Sequence, residues 1–228
     1  MHGWIDIETP HGPVRGWRAE PAGPSKGAVV VIQEIFGVNP HIRSVADRLA
    51  DAGFVALAPA LFDPVEHGVE LGYDDAGIQR ARALVSALGT ERAMDVVNAT
   101  AEKLQMEGLR VGAVGFCWGG GMVHWLATQL PDLAAGVPFY GNTPAPSEAA
   151  KVKAPLLVHL AGTDERINAA WPAYEAALKA AGVPFTVYQY AGTQHGFNND
   201  TTPRYDPAAA KLAWDRTVAF FRQKLGSA

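Results

Sequence analysis

A single cysteine, Cys117, occurs in the 228 residues. One thiol cannot close an intrachain disulfide, and it cannot supply the several thiolates of structural zinc or iron–sulfur centres. Dense runs of lysine or arginine are missing too. The 19 basic and 23 acidic residues leave a formal net charge of −4, without the basic stripe that a nucleic-acid binder uses to neutralise phosphates. No apolar stretch approaches the roughly 20 residues that span a bilayer. The opening Met1-His2-Gly3-Trp4-Ile5-Asp6 has no basic segment followed by an apolar one. These absences predict a cytoplasmic protein with no nucleic-acid or membrane partner, as a monomer or small homo-oligomer. Neither repeats nor low-complexity tracts appear. The Pro/Gly clusters at Pro21–Ser25 and Pro144–Ser147 are short enough to be loops, so residues 1–228 read as one domain.

What is present is ordinary globular material, 48% hydrophobic and 18% charged, enough for one substantial core. Short β-branched runs alternate with longer amphipathic ones, the pattern of a mostly parallel sheet with helices on both faces. Strands are expected at Ala28–Ile32, Val55–Ala58, Arg110–Val114, Gly136–Phe139, Leu156–Leu160 and Phe185–Gln189. Helices are expected at Ile42–Ala52, Ala76–Leu88, Glu91–Met106, Trp118–Gln129, Ala169–Ala181 and Pro207–Leu225. Before Lys26, alternation at Trp4–Ile7 and Val14–Trp17 is broken by Pro10, Gly12 and Pro13, which predicts an antiparallel hairpin at the sheet edge.

The cysteine has a telling context. Arg110–Val114 reads as a buried strand, runs into Gly115-Phe116-Cys117-Trp118-Gly119-Gly120-Gly121, and continues into a helix. Strand, glycine turn and helix make the setting of a nucleophile elbow, which lifts the side chain above the carboxyl edge of the sheet. There the thiol meets the positive end of the helix dipole and unpaired amides, both of which favour thiolate. The competing reading is a packing turn around a buried cysteine; a phosphate cradle fits neither the dinucleotide nor the Walker glycine spacing.

An elbow requires an acid and then a histidine further along, each in a loop after a strand. Leu156–Leu160 leads to Ala161-Gly162-Thr163-Asp164, and Phe185–Tyr190 leads to Ala191-Gly192-Thr193-Gln194-His195. His195 would take the thiol proton, while Asp164 would fix its tautomer and stabilise the imidazolium. Asp164 alone reads more readily as a turn former or helix cap. Of the other histidines, His159 falls in an apolar strand and His124 in a helix, as packing residues. His2, His11, His41 and His67 lie in loop-like stretches without ligand spacing, so neither a metal nor another cofactor is expected.

With Gln33-Glu34-Ile35-Phe36-Gly37, the GxCxG elbow, Gly162-Thr163-Asp164 and His195-Gly196-Phe197 in this order, the chain resembles the dienelactone hydrolase (carboxymethylenebutenolidase) family over essentially its whole length. The resemblance implies an α/β-hydrolase fold and assigns Glu34 a role in switching the cysteine's protonation. A carboxylate that opposes the resting thiolate would also protect it from oxidation. Oxyanion donors follow from the fold as the backbone amides of Trp118 and Ile35. Family members bind a substrate carboxylate with arginines on the helix that here carries Arg80 and Arg82, and just after the catalytic histidine. The chain departs there, reading Gly196-Phe197-Asn198-Asn199-Asp200 with no arginine before Arg204. Phe36, Tyr140 and Phe197 complete the candidate substrate-binding residues, and Tyr140 has an equal reading as packing.

Thiol chemistry narrows the reaction. A tetrahedral intermediate on sulfur expels the better leaving group, and thiolate leaves more readily than amine. The expected substrate is therefore a small activated ester or lactone, cleaved through an acyl-thioester. The rivals are a thiol redox protein or covalent ligand sensor, and a non-catalytic small-molecule binder on the same scaffold. Neither requires His195 together with Asp164, and a dithiol cycle lacks its second cysteine.

Overall fold

The computed structural model describes residues 1–226, and divides into two compact units, Met1–Val111 and Gly112–Gly226. The first contains β1 (His2–Ile7), β2 (Val14–Ala19), β3 (Ala28–Ile32), α1 (Pro40–Asp51), β4 (Val55–Pro59), α2 (Asp75–Leu88) and α3 (Thr90–Met106). Its strands lie in the order β1-β2-β4-β3. β1 and β2 form the antiparallel hairpin, with Trp4 opposite Trp17; β2 is antiparallel to β4, and β3 is parallel to β4. All five residues of β3 are fully buried, which is what a continuous β-branched run requires of a central parallel strand. α1 and α3 both pack on β3 and β4 without substantial contact with each other, so they take opposite faces.

The second unit begins within β5 (Val111–Phe116) and continues through α4 (Trp118–Gln129), β6 (Ala135–Phe139), a 3-10 helix (Pro146–Lys151), β7 (Leu156–Ala161), α5 (Glu165–Ala180), β8 (Phe185–Tyr190) and α6 (Pro207–Leu225). These four strands run in the order β5-β6-β7-β8, every pair parallel. Their carboxyl ends therefore share one edge. α4 packs on β6 and touches the 3-10 helix, as α5 does, while α6 packs on β6 and β7.

Local chemistry explains the helix starts. Asn39 and Asp74 cap α1 and α2 by accepting from the amides of Ile42 and Gly77, and Asp206 caps α6 by accepting from Ala209. Pro40 and Pro207 sit where a missing N–H is harmless. Four sequence-based expectations need correction. His2 lies in β1, and His41 lies in the first turn of α1, where it is buried. Pro146 and Ser147 belong to the 3-10 helix rather than a plain loop. α5 begins at Glu165, four residues before its first periodic alanines, because the loop from β7 turns directly into helix at Asp164.

Candidate active site

The turn after β5 has the geometry of an elbow. Cys117 stands between Phe116 and the first residue of α4 with φ 58° and ψ −117°, a conformation that strains an L-residue by about 1–3 kcal/mol. Its amide donates to the carbonyl of Phe139 at 3.0 Å. The surrounding backbone leaves no room for side chains: a Cβ on Gly115 would lie 2.1 Å from the Gly119 oxygen, one on Gly120 2.5 Å from the Phe139 oxygen, and one on Gly141 2.2 Å from the Gly120 carbonyl carbon. The run of glycines is thus a steric condition for placing α4 against β6. The cysteine at the bend is partly exposed, not shut in the core.

Asp164 and His195 follow β7 and β8, whose parallel pairing joins Ala161 to Tyr190, so both residues emerge at the same edge as Cys117. Nδ1 of His195 is hydrogen-bonded to Oδ2 of Asp164. Asp164 occupies the N-cap position of α5 and yet makes no side-chain cap bond. The carboxylate is only 9% exposed and the imidazole 24%. Tyr140, buried and at φ 38°, lies with its ring 5.0 Å from that of His195 and 5.4 Å from that of Phe197. It directly follows Phe139, the residue that holds the Cys117 amide, so elbow and imidazole both border Phe139–Tyr140. Phe197 is fully buried and also packs 5.0 Å from the Tyr190 ring. Arg204, on an exposed turn, donates from Nη1 to the His195 carbonyl at 3.4 Å.

The candidates in the first unit are Glu34, Ile35, Phe36, Arg80 and Arg82. Glu34 is 5% exposed and accepts from the Tyr73 hydroxyl at 3.1 Å, and Tyr73 in turn accepts from Asn39 Nδ2 at 2.9 Å. Phe36 packs 4.4 Å from the Tyr73 ring, and Ile35 between them is partly exposed. Arg80 and Arg82 are exposed on α2, and Arg80 is paired with Glu66, the ordinary behaviour of a solvated helix charge.

Sequence reasoning passed over Tyr73, Thr163 and Thr193. The threonines belong to identical Ala-Gly-Thr tripeptides, 161–163 and 191–193, that open the loops carrying Asp164 and His195; that duplication is the signal that would have found them.

Two buried histidines sit apart from this chemistry. Burial pushes His124 down to about 3, and does the same to His159 with help from Arg216. Nδ1 of His159 is 2.9 Å from the Tyr190 hydroxyl and Nε2 is 3.1 Å from Thr217 Oγ1. Because Arg216 Nη1 donates to the Tyr190 oxygen and Thr217 donates to the Ala213 carbonyl, the bonds run in one direction, Arg216 to Tyr190 to His159 to Thr217. His159 is thereby held neutral with its proton on Nε2.

A largely parallel α/β chain with a strained turn after one strand, and an acid and a histidine after two later ones, has the fold of the α/β hydrolases. A crystal structure from Klebsiella pneumoniae, provisionally described as a dienelactone hydrolase, has TM-score 0.86 and 28% identity, covering 98% of each chain. The protein belongs to the dienelactone hydrolase family, a family of hydrolases, whose model matches residues 14–225. Relatives provisionally named carboxymethylenebutenolidase occur in Synechocystis sp., 33% identical over 93% of this chain and 92% of theirs, and in Saccharolobus solfataricus, 33% identical over 92% and 94%. Among the described residues, no helix is long and apolar enough to cross a membrane.

Proposed function

We propose that the protein hydrolyses a small activated ester or lactone through an acyl-thioester on Cys117. The reading rests chiefly on the Asp164–His195 hydrogen bond at the strand edge where the Cys117 turn also emerges. His195 takes the thiol proton as sulfur attacks the acyl carbon; the tetrahedral intermediate collapses with loss of the alkoxide or enolate, which receives that proton from the imidazolium. Imidazole then deprotonates a water that attacks the thioester, releasing the carboxylic acid and restoring the thiol. The backbone amides of Trp118 and Ile35 are the expected donors to the oxyanion. Asp164 keeps the Nδ1 proton in place and stabilises the imidazolium. The family match runs through both compact units, which supports a single hydrolase domain.

In this reading Glu34 controls the protonation of Cys117, supported by its burial and by the Tyr73 hydroxyl that donates to it. Arg80 is engaged with Glu66 and no arginine lies between His195 and Arg204, so the acyl part of the substrate need not be the carboxylate-bearing dienelactone. The test compares hydrolysis of p-nitrophenyl acetate and of a dienelactone by the wild type, Cys117→Ser and His195→Ala. Turnover by the wild type with loss in both variants is expected; identical background rates in all three would remove the hydrolase reading. Glu34→Gln is expected to change the pH profile of Cys117 alkylation by iodoacetamide, and an unchanged profile excludes Glu34 from the mechanism.

A further inference from the structure

The loops that carry the acid and the base are laced together by their twin threonines. Thr193 is 3% exposed. Its hydroxyl accepts from the Gly162 amide at 3.1 Å and donates to the Tyr190 carbonyl at 2.7 Å. Its carbonyl accepts twice from Thr163, from the amide at 2.9 Å and from the hydroxyl at 2.9 Å. Four hydrogen bonds thus converge on the hydroxyl and carbonyl of one residue, two positions before His195, and three of them reach across to the two residues that precede Asp164.

The approach is so close that only glycine fits at 162. A Cβ there would lie 2.5 Å from the Tyr190 oxygen and 2.7 Å from the Gly192 amide nitrogen. Gly192 itself takes φ 75°, the conformation that lets Tyr190–Thr193 close as a turn, with the Thr193 amide returning to the Tyr190 carbonyl at 3.2 Å. Tyr190 is itself anchored through its hydroxyl to His159. The reference point for the His195 loop is therefore set in the buried end of β8.

We propose that Thr193 is a positioning residue that sets the Asp164–His195 hydrogen bond, the hydroxyl registering the two loops so that carboxylate and imidazole meet without search. The proposal rests on the hydrolase reading for its kinetic consequences, but its geometric core is independent of turnover. A valine at 193 keeps the volume, removes the donor to Tyr190 and leaves the Gly162 amide without its acceptor. The loops then separate by a few tenths of an ångström, and an imidazolium less well held by its carboxylate forms less readily.

The experiment compares Thr193→Val with Thr193→Ser in the full-length protein. Steady-state hydrolysis of p-nitrophenyl acetate across pH and the proton NMR signal of the hydrogen-bonded imidazole N–H are both recorded. Thr193→Val is expected to lower kcat roughly tenfold with KM nearly unchanged, to move the acid limb of kcat/KM by about half a pH unit, and to broaden the N–H signal by solvent exchange. Thr193→Ser is expected to restore all three. Indistinguishable valine and serine variants, or a valine variant that lowers only the melting temperature, overturn the proposal. Should Thr193→Val not fold, Thr163→Val at an exposed side chain removes one of the four bonds, and a fall of about threefold in kcat is expected; wild-type kinetics and signal there overturn it equally. If no protein turns over ester, the hydrolase reading fails while the N–H signal still decides the role of Thr193.

Discussion

Asp164 stands at the N-cap of α5 and gives its carboxylate to His195 instead of to the helix. Capping is the commonest use of an aspartate in that position and contributes about 1 kcal/mol. Here the opening amides of α5 go without that side chain, and the charge is directed to an imidazole. Asp164→Asn should therefore leave thermal stability nearly unchanged while lowering kcat by roughly a thousandfold or more, because the amide can present the wrong partner to Nδ1. Calorimetry alongside ester kinetics checks both halves; a large loss of stability with little loss of rate would return Asp164 to a capping role.

Strain at the elbow gives a second expectation. Cys117 holds φ 58°, a region where glycine has no Cβ to accommodate. Cys117→Gly should raise stability by about 1 kcal/mol, a few degrees in Tm for a chain of this size, while removing all thiol-dependent activity. A lower Tm for the glycine variant would mean that the backbone at 117 carries no strain.

His124 and His159 are both depressed by burial to about 3 from the ordinary 6.5. Below pH 6.5 the unfolded chain binds protons that the folded chain refuses, so stability must fall as the pH drops from about 6.5 toward 3, and is fully present above that window. Each histidine contributes up to about 1.4 kcal/mol per pH unit. His124→Phe, which keeps the edge-to-face packing on the Tyr174 ring 5.4 Å away, should make urea midpoints less steep in pH. An unaltered slope would place the acid sensitivity elsewhere.

The directed bonds through Tyr190 carry a stability prediction. Tyr190→Phe removes the donor to His159 Nδ1 and the acceptor for Arg216, leaving a fully buried ring nitrogen unpaired at about 1–3 kcal/mol. The denaturant midpoint should fall with an unchanged m-value. A midpoint equal to wild type would show that His159 finds another partner.

Strand and helix positions were largely legible in the chain itself, because a buried parallel strand must be a short β-branched run and a surface helix must repeat its apolar residues at its own period. β3, α4 and α6 match their expected bounds to the residue, and the ends of the other elements moved by a few positions. Cys117, Asp164 and His195 were equally legible as candidates, since each follows a strand in the order this fold uses. Residues that work by contact rather than by motif were not. Thr163 entered only as the middle of the Gly162-Thr163-Asp164 motif and Thr193 only as part of the segment before His195, neither with a role, and Tyr73 gave no sign that its hydroxyl meets Glu34.

By itself the sequence determined the period of its elements, the glycines of the turn, and the chemical types that stand at three strand ends. Tertiary structure alone decided that Asp164 turns from its helix to His195, that Tyr140 lies against the same imidazole, and that two threonines bind one loop to the other. The reason is range. Propensity and periodicity act over a few neighbours, whereas each of these contacts joins residues some 30 to 55 positions apart, and only the packing of parallel strands brings their ends together.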